Sequence, residues 1–88
     1  MSQRVDEWRA FVATSVSAVE ATRTSVRMTL DDSDTALSAA ASLGAREKAC
    51  CPFFDVAVEL EPTRRVLRLS VPEGAEPALA EFVSVLRS

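Results

Sequence analysis

Two cysteines stand side by side in the segment Glu47-Lys48-Ala49-Cys50-Cys51-Pro52-Phe53-Phe54, and the 88-residue chain has no others. Adjacent thiols suit three kinds of chemistry: chelation of a thiophilic ion, dithiol–disulfide exchange, and attack by one sulfur with its neighbour resolving the product. Proline disfavours helical geometry in the residue before it, so Pro52 predicts that the pair lies in or just after the last turn of a helix. Glu47, three residues before Cys50 and four before Cys51, then shares a side of that helix with both thiols. It is the carboxylate placed to act as an auxiliary ligand or hydrogen-bond acceptor. It also falls in line with Ala36, Ala40 and Leu43, an apolar row in which a carboxylate needs a partner or an exit to water.

Consecutive Cα atoms stand about 3.8 Å apart across a trans peptide, short of the roughly 4.4–6.8 Å that ordinary disulfides span. A structural disulfide between these neighbours is disfavoured, while a transient one in a redox cycle stays open. The chain has no histidine, so a Cys-His couple is excluded, and the negative end of a helix dipole opposes thiolate formation, which Arg46 and Lys48 offset in part. No catalytic residue is assigned on this basis. A closed zinc site takes four ligands, chiefly Cys and His; a single chain offers two, and only a homodimer supplying four thiolates would restore zinc. Soft ions such as Cu(I), Hg(II) and As(III) accept sulfur with fewer ligands, which makes Cys50 and Cys51, assisted by Glu47, a candidate metal site. Packing is the competing reading, because free cysteines are among the most buried residues and Phe53 and Phe54 follow directly.

Composition limits the remaining function classes. With 48% hydrophobic and 26% charged residues, the chain predicts one globular domain over residues 1–88. Ten basic against thirteen acidic residues give a net charge of −3, with the basic ones scattered from Arg4 to Arg87, so a phosphate grip on nucleic acid is not expected. No apolar stretch is long enough to cross a bilayer, and the opening MSQRVDEW is polar and acidic where a signal peptide would be basic and then apolar. The expectation is a cytoplasmic protein without membrane contact, whose cysteines stay reduced. Gly44 and Gly74 are the only glycines, which rules out a glycine-rich phosphate loop and its nucleotide cofactor.

The elements that must position the pair are legible in the spacing of apolar residues. Val5, Trp8, Phe11 and Val12 predict a helix over 3–14, capped by Ser2. Val16 and Val19 continue its spacing, yet the β-branched run over 15–22 favours a strand. Val26, Met28 and Leu30 alternate with Arg27 and Thr29 as a half-buried strand over 25–30. The cluster Asp31-Asp32-Ser33-Asp34 offers N-cap oxygens for a helix over 34–50, whose seam is Leu37, Ala40, Ala41, Leu43 and Gly44. Strands from Phe54 to Leu60 and from Val66 to Val71 form a hairpin about the turn 61–64, with Glu59 and Arg68 meeting on its solvent face. After Pro72, Leu79, Phe82, Val83 and Leu86 mark a last helix from about Pro77.

VRMTLDD (26–32) lines up with LRLSVPE (67–73), suggesting two ββα units over 15–51 and 53–87. The expected fold is therefore α+β: a two-layer sandwich with a four-stranded antiparallel sheet, helices on one face, and the N-terminal helix added at an edge or as a partner surface.

Glu47, Cys50, Cys51, Pro52 and Phe53 resemble the E-x-x-C-C-P-F signature of a group of small bacterial proteins, in which it lies between a helix and a β-hairpin. The likeness extends more loosely to RVDEW near the start, VRMTL, and VPEGAEPAL at the last helix. It implies an association with heavy-metal resistance, mercury in particular. Cysteine-proline dipeptides also occur in the metal-sensing ends of mercury-responsive regulators, whose DNA-binding helices this chain lacks, so a sensing role would need a protein partner to read DNA. The leading expectation is a non-enzymatic protein binding a soft metal or metalloid through Cys50 and Cys51, with Glu47 assisting. A thiol redox or sulfur-transfer protein, and an interaction module with structural cysteines, are the alternatives.

Overall fold

The computed structural model describes residues 3–87. Its elements run α1 (Gln3–Ser15), β1 (Val16–Ala21), β2 (Ser25–Leu30), α2 (Asp34–Cys50), β3 (Asp55–Leu60), β4 (Arg65–Ser70) and α3 (Glu76–Arg87). The four strands form one antiparallel sheet in the order β1-β2-β4-β3. This is the expected helix followed by two ββα units. Ser2, the expected cap of α1, lies outside the described residues.

The two units meet at the centre of the sheet, where β2 pairs with β4. Val26 faces Leu69, Arg27 faces Arg68 and Met28 faces Leu67. Residues equivalent in the VRMTLDD and LRLSVPE alignment thus exchange partners, as a local two-fold axis through the Arg27–Arg68 pair requires. Two arginines opposite each other would repel. Arg27 is balanced by Glu59 at 3.0 Å and Glu61 at 2.9 Å, and Arg68 by Glu59 at 3.4 Å and Asp55 at 3.6 Å. This is the charged face foreseen for the hairpin. Val66 sits on it opposite Thr29 and Glu59 and is nonetheless fully buried.

The ambiguity after α1 has a geometric resolution. Val16 and Val19 are three residues apart, which in a regular strand puts them on opposite faces. The register shifts between Val16 and Ala18, so that Val16 pairs with Leu30 and Val19 with Met28. This bulge at Ser17 turns both valines toward the helices, where they pack on the core. A helix-like spacing is therefore realised in a strand.

On the other face, Val26, Met28, Leu30, Leu67 and Leu69 lie beneath side chains of all three helices. Helix α1 packs on α2, α3 and β1, and its Trp8 and Phe11 are core residues. It belongs to the helical layer and does not offer a bare partner surface through Trp8. Helix α2 buries Ala36, Ala40, Leu43, Gly44 and Glu47; Ala41, expected in that seam, is exposed and Leu37 is half-buried. A Cβ at Gly44 would come within 2.8 Å of Val56 Cγ1 and 3.5 Å of Leu67 Cδ1. Glycine there lets α2 approach the sheet closely. Among the available oxygens, Ser33 Oγ takes the cap, accepting from the Ala36 N–H at 3.0 Å.

Candidate functional site

Helix α2 ends between the two cysteines. Cys50 is its last residue, while Cys51 has left helical geometry at φ −128° and ψ 85°, its N–H still donating to Glu47 O at 2.8 Å. On a continuous helix, neighbouring side chains diverge by about 100°. At Cys51 the backbone departs from that helical path, so the two adjacent side chains leave the chain from different backbone geometries, close enough for each to influence the other's ionisation. Both thiols are free; Cys50 is exposed and Cys51 partly buried.

The turn that follows is fixed on both sides. Phe54 N–H donates to Cys51 O at 3.0 Å, closing a four-residue turn with Pro52 in its second position, where a fixed φ is favoured. The Lys48 ammonium donates to Pro52 O at 2.7 Å and to Phe54 O at 2.8 Å. The Phe pair is divided, as the start of a strand demands: Phe54 enters the core, whereas Phe53 remains 45% exposed.

Glu47 is 1% exposed, and its partners come from α1. Arg4 approaches the carboxylate with both arms of its guanidinium, Nε donating to Oε1 at 2.9 Å and Nη2 to Oε2. The Trp8 indole N–H donates to Oε1 at 3.0 Å. This bidentate fork with one further donor satisfies a charge that could not otherwise stay buried, and its hydrogen bond to Glu47 raises the Arg4 pKa further. Glu47 is thus a hydrogen-bond acceptor, with both oxygens engaged by α1. Among the described residues, no three Cys, Asp or Glu side chains form a group that would hold a metal ion. The two thiols stay adjacent at the end of α2, both free, while Glu47 is bound to Arg4 and Trp8 instead of to them.

Arg4 and Trp8 were not singled out for this role by their spacing, although a signal exists. Arg4, Trp8 and Phe11 follow one another at intervals of four and three, so Arg4 stands in an apolar row of α1 as Glu47 does in an apolar row of α2. Opposite charges stranded in two apolar rows are candidates for each other.

Burial pushes the Cys51 thiol up, and the neighbouring Cys50 and the charge of Glu47 add to this, while Arg4 acts in the opposite direction. Because the folded thiol ionises later than the unfolded one, it supports the fold up to about pH 8.5 and that support is lost as the pH rises further. Alkylation of the single-thiol variants should report this. Cys50, in Cys51→Ser, is expected to react faster at pH 7.5, and the rate at Cys51, in Cys50→Ser, should keep climbing beyond about pH 9.5, roughly one unit above the ordinary thiol pKa, where a free thiol levels off. A faster Cys51 at neutral pH would contradict the assignment.

Beside the pair opens a cleft of about 310 Å³ between α1, the 51–54 turn and α3. Its floor is aromatic: Trp8 meets Phe82 edge-on with centroids 5.0 Å apart, Phe54 lies 5.8 Å from Phe82, and Phe53 lies 5.2 Å from Phe54. Cys51 forms part of its wall, and Arg4 and Glu81 stand among the residues around it. The chain matches no family model, no curated protein and no solved structure. The site's geometry therefore carries the functional reading. Among the described residues no helix is long and apolar enough to cross a membrane.

Proposed function

We propose that the protein captures a soft thiophilic ion, Hg(II), Cu(I) or As(III), as a bis-thiolate of Cys50 and Cys51. The observation that carries this reading is the end of α2 between two adjacent free cysteines, which leaves Cys50 exposed and Cys51 partly buried at one helix end. Binding displaces a proton from each thiol, so affinity rises with pH. Arg4 acts electrostatically on both sulfurs and favours a complex that keeps negative charge, such as a Cu(I) bis-thiolate. Glu47 serves the site through Arg4, which it holds in place. A burial-raised Cys51 thiol speaks for coordination over nucleophilic redox chemistry, since a metal supplies the charge that ionises the thiol whereas free nucleophilic attack needs the thiolate beforehand. A reducing cytoplasm is the compartment in which such a pair stays open, and the resemblance to the E-x-x-C-C-P-F proteins puts mercury first among the ions.

Titration of the reduced protein with Hg(II), Cu(I), As(III) and Zn(II), in competition with a chelator, tests the proposal. One soft ion per chain is expected, with little zinc bound by the monomer. Cys50→Ser and Cys51→Ser should each weaken binding about 100-fold or more, because the second sulfur no longer joins an intramolecular chelate. Unchanged affinity in both variants, or no stoichiometric binding, would sink it.

A further inference from the structure

The cleft beside Cys51 suggests a more specific ligand. We propose that it receives the aromatic substituent of a trivalent organoarsenical whose arsenic is bound by Cys50 and Cys51, an inference that rests on the thiol-pair reading. Valence distinguishes the one of these ions that can carry an organic group while bound by both sulfurs. A Hg(II) or Cu(I) bis-thiolate carries no further organic group, whereas As(III) forms three bonds and holds two sulfurs together with one carbon. A thiol pair with one sulfur, Cys51, in the wall of a largely apolar cleft and the other, Cys50, exposed beside it matches that combination.

Size and lining agree with an aryl group. A dry cavity of about 150 Å³ is enough to bind benzene, and this cleft measures about 310 Å³. Trp8, Phe54 and Phe82 form its aromatic floor, Phe53 stands partly exposed beside it, and Ala78 leaves room on the α3 side. Cys51 lies in the wall while Cys50 lies at the surface. The reaction is a ligand exchange: an arylarsonous acid, ArAs(OH)₂, and two thiols give ArAs(SR)₂ and two waters. Two As–O bonds break, two As–S bonds form, each thiol proton leaves with a hydroxide, and arsenic stays trivalent.

The experiment compares phenylarsonous and methylarsonous acid on the reduced full chain, each in competition with 2,3-dimercaptopropanol, a free dithiol that has no cleft. The protein is expected to prefer phenyl over methyl by about ten-fold relative to the free dithiol, as burial of extra apolar surface requires. Phe53→Ala, at an exposed position, should reduce that preference, and Ala78→Phe, which fills the cleft, should remove it, with methylarsonous acid still bound in both. Should Ala78→Phe fail to fold, Phe53→Ala carries the test. Equal preference for phenyl in protein and free dithiol would overturn the aryl site and leave the thiol pair standing. Failure of both arsenicals to bind more tightly than to a single thiol would overturn the pair and the aryl site with it. A dimer in sedimentation that Phe53→Ala dissolves and phenylarsonous acid does not would identify a second copy as the occupant, against the proposal.

Discussion

Arg4→Ala is expected to destabilise the protein by about 3 kcal/mol, and Glu47→Gln by only about 1 kcal/mol, although each breaks the same ion pair. The asymmetry follows from where the two charges sit. The Glu47 side chain is 1% exposed and that of Arg4 48% exposed. Removing arginine leaves a buried carboxylate with the Trp8 indole as its remaining side-chain donor. Removing the carboxylate's charge leaves an arginine already half in water, and a glutamine oxygen still accepts from Trp8. The figure for Arg4→Ala is at the low end for severed buried pairs, because water reaches the position the guanidinium vacates. Against a total stability of about 5–10 kcal/mol for a chain of this size, the difference is easily read as a shift of the urea midpoint at constant slope. A larger cost for Glu47→Gln than for Arg4→Ala would show that the carboxylate is not the desolvated partner.

The second large effect is expected at Trp8. Trp8→Ala should cost about 4 kcal/mol, in the range for truncating a buried aromatic residue. It loses edge contacts with both Phe11 and Phe82, at 5.9 Å and 5.0 Å, and removes a donor from Glu47. Trp8→Phe separates the two contributions, since it keeps a ring and drops the N–H, and about 1–2 kcal/mol is expected. The double variant Trp8→Phe/Glu47→Leu should cost less than the sum of its parts by about 1 kcal/mol, because an unpaired indole and an unpaired carboxylate vanish together. Strict additivity in denaturant unfolding would mean that the indole bond contributes nothing measurable.

The local parts of this architecture can be read from the chain because they depend on neighbours in sequence. Alternation at Val26, Met28 and Leu30 marks β2, and the polar run before Thr35 marks the start of α2. Proline at position 52 predicts where α2 ends, and the structure places Cys51 just outside helical geometry. What depends on distant residues is harder to read. The solitary carboxylate in the row Ala36, Ala40, Leu43 raises the question of a partner, but its answer lies 43 residues away at Arg4. The bulge at Ser17 is chosen by pairing with β2, so no periodicity within β1 announces it. The cleft joins α1, the 51–54 turn and α3, three segments whose adjacency is a property of the fold. Position 53 shows the same limit, for two adjacent phenylalanines at a strand entry imply that one is buried without saying which.

Trp8 is the only tryptophan in the chain, and there is no tyrosine. The molecule therefore emits from one indole, placed on the cleft floor and hydrogen-bonded to Glu47. A heavy atom held on the neighbouring thiols enhances intersystem crossing in that indole and quenches its emission, whereas a light ligand does not. The protein thus carries an optical reporter for any heavy ion that would bind at Cys50 and Cys51.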